Sequence, residues 1–240
     1  MKTLKTFTLI LITLLLTNCS TIEQYSTPVA NHEVMITIDL SGSSDSTKFP
    51  STVDIVTYIL KEIRMVEGEH FANGATIYLS YLGHEYRPYI KPIILPAVSS
   101  SSNRTKRKRA VLGFKQELYG TIDAILKLPV NKAGSNLFSG LAYQFEIMHE
   151  NNFSDQHSIL LISDCVEFSA YDFSDPKTFK DMAALSDQLN EAFPFGNLSG
   201  FDITILSVEN STAHRAQEFT KYHFIRNGAS SRIRSNLLSL

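Results

Sequence analysis

Asp39, Ser41 and Ser43 follow one another at two-residue steps in Asp39-Leu40-Ser41-Gly42-Ser43. One carboxylate and two hydroxyls on a single turn form a set of hard oxygen ligands. Such a set suits Mg²⁺, or Mn²⁺ in its place, because these ions take oxygen donors, and Mg²⁺ keeps several waters beside few protein carboxylates. The residues just before, Val34-Met35-Ile36-Thr37-Ile38, are a short apolar run of the kind that forms a strand buried in an α/β sheet. Chemistry in such sheets sits just beyond the carboxyl ends of the strands, which is where Asp39 falls. Aspartate and serine are also ordinary turn formers and helix caps, so the pentapeptide needs partners from elsewhere in the chain.

Other chemistries find less in this chain. The seven histidines show no H-E-x-x-H or other paired spacing, which argues against a zinc centre. Cys165 reads as a small buried residue, since soft sulfur suits zinc rather than Mg²⁺. No G-x-S-x-G elbow, Walker phosphate loop or Cys/His pair is present. A phosphatase or hydrolase of the haloacid dehalogenase type also sets an aspartate after its first strand and uses Mg²⁺. It needs a second acid two residues further on, where this chain has Ser41. The expectation is therefore a protein that binds and is not an enzyme.

The elements that must position the turn alternate along the chain. Glu33–Leu40 reads as a strand. Ser51–Val66 reads as a helix, with apolar residues such as Ile55, Val56, Ile59 and Ile63 near helical spacing and Pro50 where it begins. Ala75–Leu82 is β-rich, and Tyr86–Leu95 is expected to return beside it across Gly83-His84, with Pro88 and Pro92 confining it to an edge. Ser99–Asn103 is a serine-rich loop. Thr105–Leu128 is a long helical pattern with Gly113 and Gly120 as candidate breaks, and a loop from Pro129 to Ser135 leads to a helix over Leu137–His149. Ser158–Ser163 is a second buried strand, ending in Asp164. Pro176–Phe193 reads as a helix, Phe201–Val208 as a strand and Ala213–Ile225 as the closing helix. This order predicts an α/β fold: a doubly wound, mostly parallel central sheet with helices on both faces and one antiparallel edge strand.

Asp39-Leu40-Ser41-Gly42-Ser43 after a hydrophobic strand resembles the metal-ion-dependent adhesion site, or MIDAS, of von Willebrand factor A (VWA) domains. Two further stretches resemble the rest of that motif. Gly134-Ser135-Asn136-Leu137 looks like the family's Gly-Thr-Asn-Leu, with a serine that keeps the hydroxyl and loses a methyl. Ile159-Leu160-Leu161-Ile162-Ser163-Asp164 supplies an aspartate at the end of the next hydrophobic strand, with Cys165 where glycine is usual. The resemblance runs over residues 32–226 and implies a VWA-like, Rossmann-like domain. It implies Ser41 and Ser43 as direct ligands, Ser135 as a ligand either directly or through water, and Asp39 and Asp164 as an outer shell holding coordinated waters. A cation with few direct carboxylates stays electrophilic, so the implied function is to accept a carboxylate from a protein partner. The helix after Ser43 is expected to turn its positive amino end toward that anion. A metal-free scaffold of the same fold is the alternative that Ser135 and Cys165 leave open.

The amino-terminal residues carry a different signal. Lys2 and Lys5 precede the apolar stretch Leu9–Leu16, which is too short for a comfortable membrane span and reads as a signal peptide over residues 1–18. Leu16-Thr17-Asn18-Cys19 resembles the lipobox of bacterial lipoproteins, which implies an acylated Cys19 as the mature amino terminus. Residues 19–31 then form a flexible tether, and residues 32–240 the VWA-like domain. The expected location is the bacterial cell envelope, with the outer membrane favoured because Ser20 replaces the aspartate that commonly signals inner-membrane retention in enteric bacteria. The mature chain keeps 20 basic and 24 acidic side chains, a formal charge of −4, which gives no footing for nucleic acid. The cationic run Arg104–Arg109 reads either as a solvated face or as a contact for anionic lipid headgroups or an acidic partner.

Overall fold

Six of the chain's extended runs pair into a single sheet. The computed structural model describes residues 31–41, 46–65, 73–83, 88–98, 103–130, 136–151, 157–167, 171–208 and 213–237. Within these the strands are β1 (Asn31–Asp39), β2 (Gly74–Leu82), β3 (Tyr89–Leu95), β4 (His157–Ser163), β5 (Phe201–Ser207) and β6 (Ser230–Arg234). The helices are α1 (Thr52–Glu62), α2 (Arg104–Leu126), α3 (Leu137–Asn151), α4 (Met182–Ala192) and α5 (Ala213–Arg226). The strand order is β3-β2-β1-β4-β5-β6, parallel except for β3, which runs antiparallel along the β2 edge. This is the doubly wound α/β architecture expected from the order of elements. Pro92, opposite Tyr78, lies in the edge strand, where a missing N–H costs least.

Strand periodicity sorts the side chains into two cores. Val34, Ile36 and Ile38 of β1 point to the face covered by α1 and α2, where they meet Ile55, Ile59, Leu118 and Ile122. Met35 points to the other face, with Ile159 and Leu161 of β4 and a set of phenylalanines from α3, α5 and the loops around α4. Phe138 sits edge-on to Phe173, with ring centroids 5.5 Å apart, and stacks on Phe195 at 6.0 Å. Each large side chain so buried contributes about 1.5–3 kcal/mol of burial free energy. Thr37 shares the parity of Met35 and is polar, yet its hydroxyl donates to Gln144 Oε1 of α3 at 2.6 Å, and Gln144 Nε2 donates to Ser80 of β2 at 2.9 Å. This bridge satisfies buried polar groups on two strands and one helix, and it sets α3 over the β1–β2 pair. Gly140 permits that approach, since a Cβ there would lie 2.5 Å from a methyl of Leu82.

Three elements differ from the sequence reading. The expected helix over Pro176–Phe193 divides into a 3-10 turn, Pro176–Phe179, and α4. Two successive caps cause this: Asp175 accepts from the Lys177 amide at 2.9 Å, and Asp181 accepts from the Ala184 amide at 2.9 Å. β6 was not expected, because Ser230-Ser231-Arg232-Ile233-Arg234 is polar and short, as an edge strand beside β5 tolerates. α2 runs unbroken through Gly113 and Gly120, where an added Cβ would touch nothing within 4 Å.

His223 of α5 is buried among Phe138, Phe195 and Phe219, with Nδ1 2.8 Å from the Ser186 hydroxyl. Burial, with a smaller contribution from Arg226, pulls its pKa down to about 4. The unfolded chain takes up a proton on this ring below about pH 6.5, and the native state does not until about pH 4. Stability therefore falls as pH drops through that window, by up to about 3 kcal/mol from this residue. Urea unfolding at pH 7 and pH 4.5 measures it, and His223→Gln is expected to flatten the slope. In α2, Gly113→Ala and Gly120→Ala are each expected to add roughly 0.8–1 kcal/mol by propensity alone, and a rise in Tm checks this. A fall in Tm would mean that α2 needs those glycines.

Candidate functional site

In a doubly wound sheet of this order the crossovers diverge between β1 and β4. The crevice beyond the carboxyl ends of those two strands is where such folds bind ligands. Asp39 ends β1, Asp164 follows the last residue of β4, and the two strands are parallel neighbours in register from Glu33–His157 to Ile38–Ile162. Both aspartates and Ser41 are fully buried.

The local geometry holds the two acids in similar turns. Asp39 Oδ1 accepts from the Ser41 amide at 2.9 Å, and Asp164 Oδ1 accepts from the Val166 amide at 3.0 Å. Ser163 joins the turns: its hydroxyl donates to Asp39 Oδ2 at 2.6 Å and accepts from the Cys165 amide at 2.8 Å. Its carbonyl in turn accepts from Gln217 Nε2 of α5 at 3.4 Å. A carboxylate oxygen has two acceptor sites, so these bonds orient Asp39 and leave capacity for waters around a cation. Buried, oriented hard oxygens of this kind fit an outer-shell role better than direct ligation.

Asn136 and Leu137, the described part of the third stretch, come to the same end of the sheet. Asn136, one residue before α3, donates its amide to Gly83 O, just past β2, at 3.2 Å. The Phe138 amide in the first turn of α3 donates to Glu167 Oε2 at 3.1 Å, and Glu167 is fully buried. A carboxylate there satisfies an orphan helix amide and complements the positive end of α3. Sequence reasoning missed Ser163, Glu167 and Gln217. The only signal for Glu167 was an acid three residues after Asp164, and Ser163 looked like the last residue of an apolar strand.

Of the five expected ligands, Asp39, Ser41 and Asp164 are brought together at this end. Ser43 and Ser135 lie outside the described residues, as do Cys19, the signal peptide and nearly all of the tether. After Ser43 the described residues form a 3-10 segment, Ser46–Lys48, and then α1, which starts at Thr52 where a helix from Ser51 was expected. Its amino end is closed by a capping box in which Ser51 and Asp54 bond each other reciprocally. Among the described residues, no group of three or more His, Cys, Asp or Glu side chains is placed to hold a metal by itself.

The cationic run divides in two. Arg107 is buried and donates to the carbonyls of Pro96 and Asn73, tying α2 to the amino end of β2. Arg104, Lys106, Lys108 and Arg109 are exposed. Among the described residues no helix is long and apolar enough to cross a membrane.

Cys165 adopts φ 60°, the left-handed region that favours glycine, which accounts physically for the glycine usual at this place. Its side chain is buried in the α3–α5 core, and burial, then the Asp164 charge, pushes the thiol far above its ordinary range. Cys165→Gly exchanges about 1–2 kcal/mol of backbone relief for lost packing, so near-neutral stability is expected. Cys165→Val keeps volume but sets a β-branched residue at positive φ, and a loss of more than about 2 kcal/mol is expected. Urea midpoints of the two variants test the order, and a valine variant as stable as the wild type would refute it.

No protein-family model and no curated protein sequence matches this chain. It is similar to solved structures at low identity. One is the pilus adhesin SpaC from Lactobacillus rhamnosus GG, at 10% identity and TM-score 0.46, over 86% of this chain and 28% of that one. Another is the manganese-loaded TRAP protein of Plasmodium vivax, at 11% and TM-score 0.39, over 85% of this chain and 68% of that one. A human COPII-coat protein is a third, at 9% and TM-score 0.43, over 87% and 30%. The chain thus spans less than a third of the adhesin and of the coat protein.

Proposed function

We propose that this chain is a lipid-anchored VWA-like binding protein of the bacterial cell envelope, not an enzyme, that engages a protein partner through a divalent-cation site. The observation that carries the reading is the Asp39–Ser163–Asp164 arrangement: two buried acids from strands adjacent at the switch point, each oriented by its own turn. Asp39, Ser41, Ser43, Ser135 and Asp164 would hold Mg²⁺ or Mn²⁺. When bound, the cation offers an electrophilic coordination position to a carboxylate. The chain's own part is to fix the acids before the ion arrives, through the Ser41 and Val166 amides and the Ser163 hydroxyl, so that little ordering cost remains on binding.

Orientation supports an anchored protein. The tether enters β1 at Asn31, at the amino end of the sheet, and the acids sit at the opposite end. Arg104, Lys106, Lys108 and Arg109 lie at the tether's end, since Arg107 between them bonds Asn73 just before β2. A membrane of anionic headgroups meeting that end would attract these side chains by about 1 kcal/mol each, and the acids would face away toward a partner.

A metal-free scaffold is the second reading, favoured by the protein donors that both Asp39 oxygens already have. Calorimetric titration of the full-length protein with Mn²⁺ separates the two. Saturable binding at millimolar metal is expected, with at least about a tenfold loss in Asp39→Ala checked for folding by circular dichroism. Absence of binding, or equal binding by Asp39→Ala, would overturn the cation site.

A further inference from the structure

At the amino end of the sheet, opposite the aspartates, lies a polar cleft of about 670 Å³. It is framed by the starts of β1, β4, β5 and β6 and by the carboxyl end of α1. Its lining includes Glu33, His157, Glu62, Asp202, Lys61 and Arg64.

Glu33 is 2% exposed and His157 6%. His157 Nδ1 approaches Glu33 Oε2 to 2.9 Å without hydrogen-bond alignment, and among the described residues neither oxygen of Glu33 accepts a hydrogen bond. The imidazole stacks on Phe201 with ring centroids 4.5 Å apart. A buried carboxylate without donors is costly, by at least the 1–3 kcal/mol of an unmade hydrogen bond. A core that needed only packing would place an apolar side chain here. The structure instead keeps an acceptor at the side of a cleft large enough for a small molecule.

Acceptors and cations both line the rest of the cleft. Glu62 lies half-buried with Oε2 3.2 Å from the Ser158 hydroxyl, and Asp202 Oδ2 pairs with Arg232 at 3.1 Å. The last turn of α1 brings its negative end to the same place. Lys61 and Arg64 are exposed at the cleft's margin. A bare divalent ion does not suit the cleft, because no three ligating side chains converge among the described residues and the volume is far larger than an ion needs.

We infer that this cleft binds a small organic cation, with an ammonium or guanidinium group donating to the Glu33 carboxylate and the Glu62 carboxylate beside it. The donor-rich head would supply the hydrogen bonds that Glu33 lacks, and a charge-assisted bond to a buried carboxylate is among the stronger contacts a small ligand can make. The site is independent of the cation site proposed at the other end, being separated from it by the length of the strands.

Butylguanidinium and butylammonium are the probes, with neutral butylurea as the isostere and sodium chloride as the ionic-strength control. They are titrated into the full-length protein while the imidazole signals of His157 are followed by NMR. Both cations are expected to shift those signals saturably at about millimolar concentration, as fits ligands of so few atoms. Butylurea and sodium chloride are expected to leave them unmoved. Glu33→Gln keeps the shape and removes the charge, and should weaken the cations by about tenfold or more. Glu62→Gln, at a less buried position, should weaken them by about threefold and guards against misfolding of the first variant. Equal shifts from butylurea, no saturation by either cation, or unchanged affinity in the folded variants would overturn the inference. None of these outcomes touches Mn²⁺ binding at Asp39.

Discussion

The hydroxyl of Ser163 stands between the Asp39 carboxylate and the Cys165 amide, and the carboxyl end of the sheet depends on it. Through that one group the last residue of β1 and the turn after β4 become a single rigid unit. The unit extends outward by short steps. The Ser163 carbonyl meets Gln217 of α5, and Glu167, two residues past Cys165, holds the first turn of α3. Two helices of one face and two strands are thus referenced to the same turn. Such over-determination is what lets Cys165 persist at positive φ, a backbone state that a looser turn would relax.

The two ends of the sheet treat buried charge in opposite ways. At the carboxyl end the acids meet backbone amides and hydroxyls, which orient them without neutralising them. At the amino end Glu33 lies beside His157, and among the described residues neither of its oxygens accepts a hydrogen bond. The first arrangement suits a group that orders water around an ion, and the second suits direct donation from a ligand's head. Between them the sheet is largely apolar, and the Thr37–Gln144–Ser80 bridge joins buried polar groups of two strands and one helix.

Much of this was legible in the residues. The alternation of Val34, Ile36 and Ile38 with Met35 and Thr37 marks β1 as two-sided, and the proline in Tyr89–Leu95 marks an edge. The strand-end positions of Asp39 and Asp164 follow from the apolar runs that precede them. β6 escaped because a short polar edge strand buries too little to leave a pattern. The break before α4 escaped because two caps six residues apart, Asp175 and Asp181, look like part of one amphipathic stretch. Arg107 looked like its neighbours in a charged run, and only the carbonyls of Pro96 and Asn73, delivered by β3 and β2, separate it from them.

What the sequence determined by itself was local: which residues extend, which coil, and that acids stand where extended runs stop. These patterns repeat every two or 3.6 residues and need no knowledge of distant neighbours. Tertiary structure alone decided that β4 lies against β1, so that Ser163 reaches an aspartate 124 residues away in the chain. It alone decided that Glu33 and His157, unremarkable in the sequence, share a buried wall of a cleft. Strand order sets both, and strand order is chosen by the packing of whole faces rather than by any short run of residues.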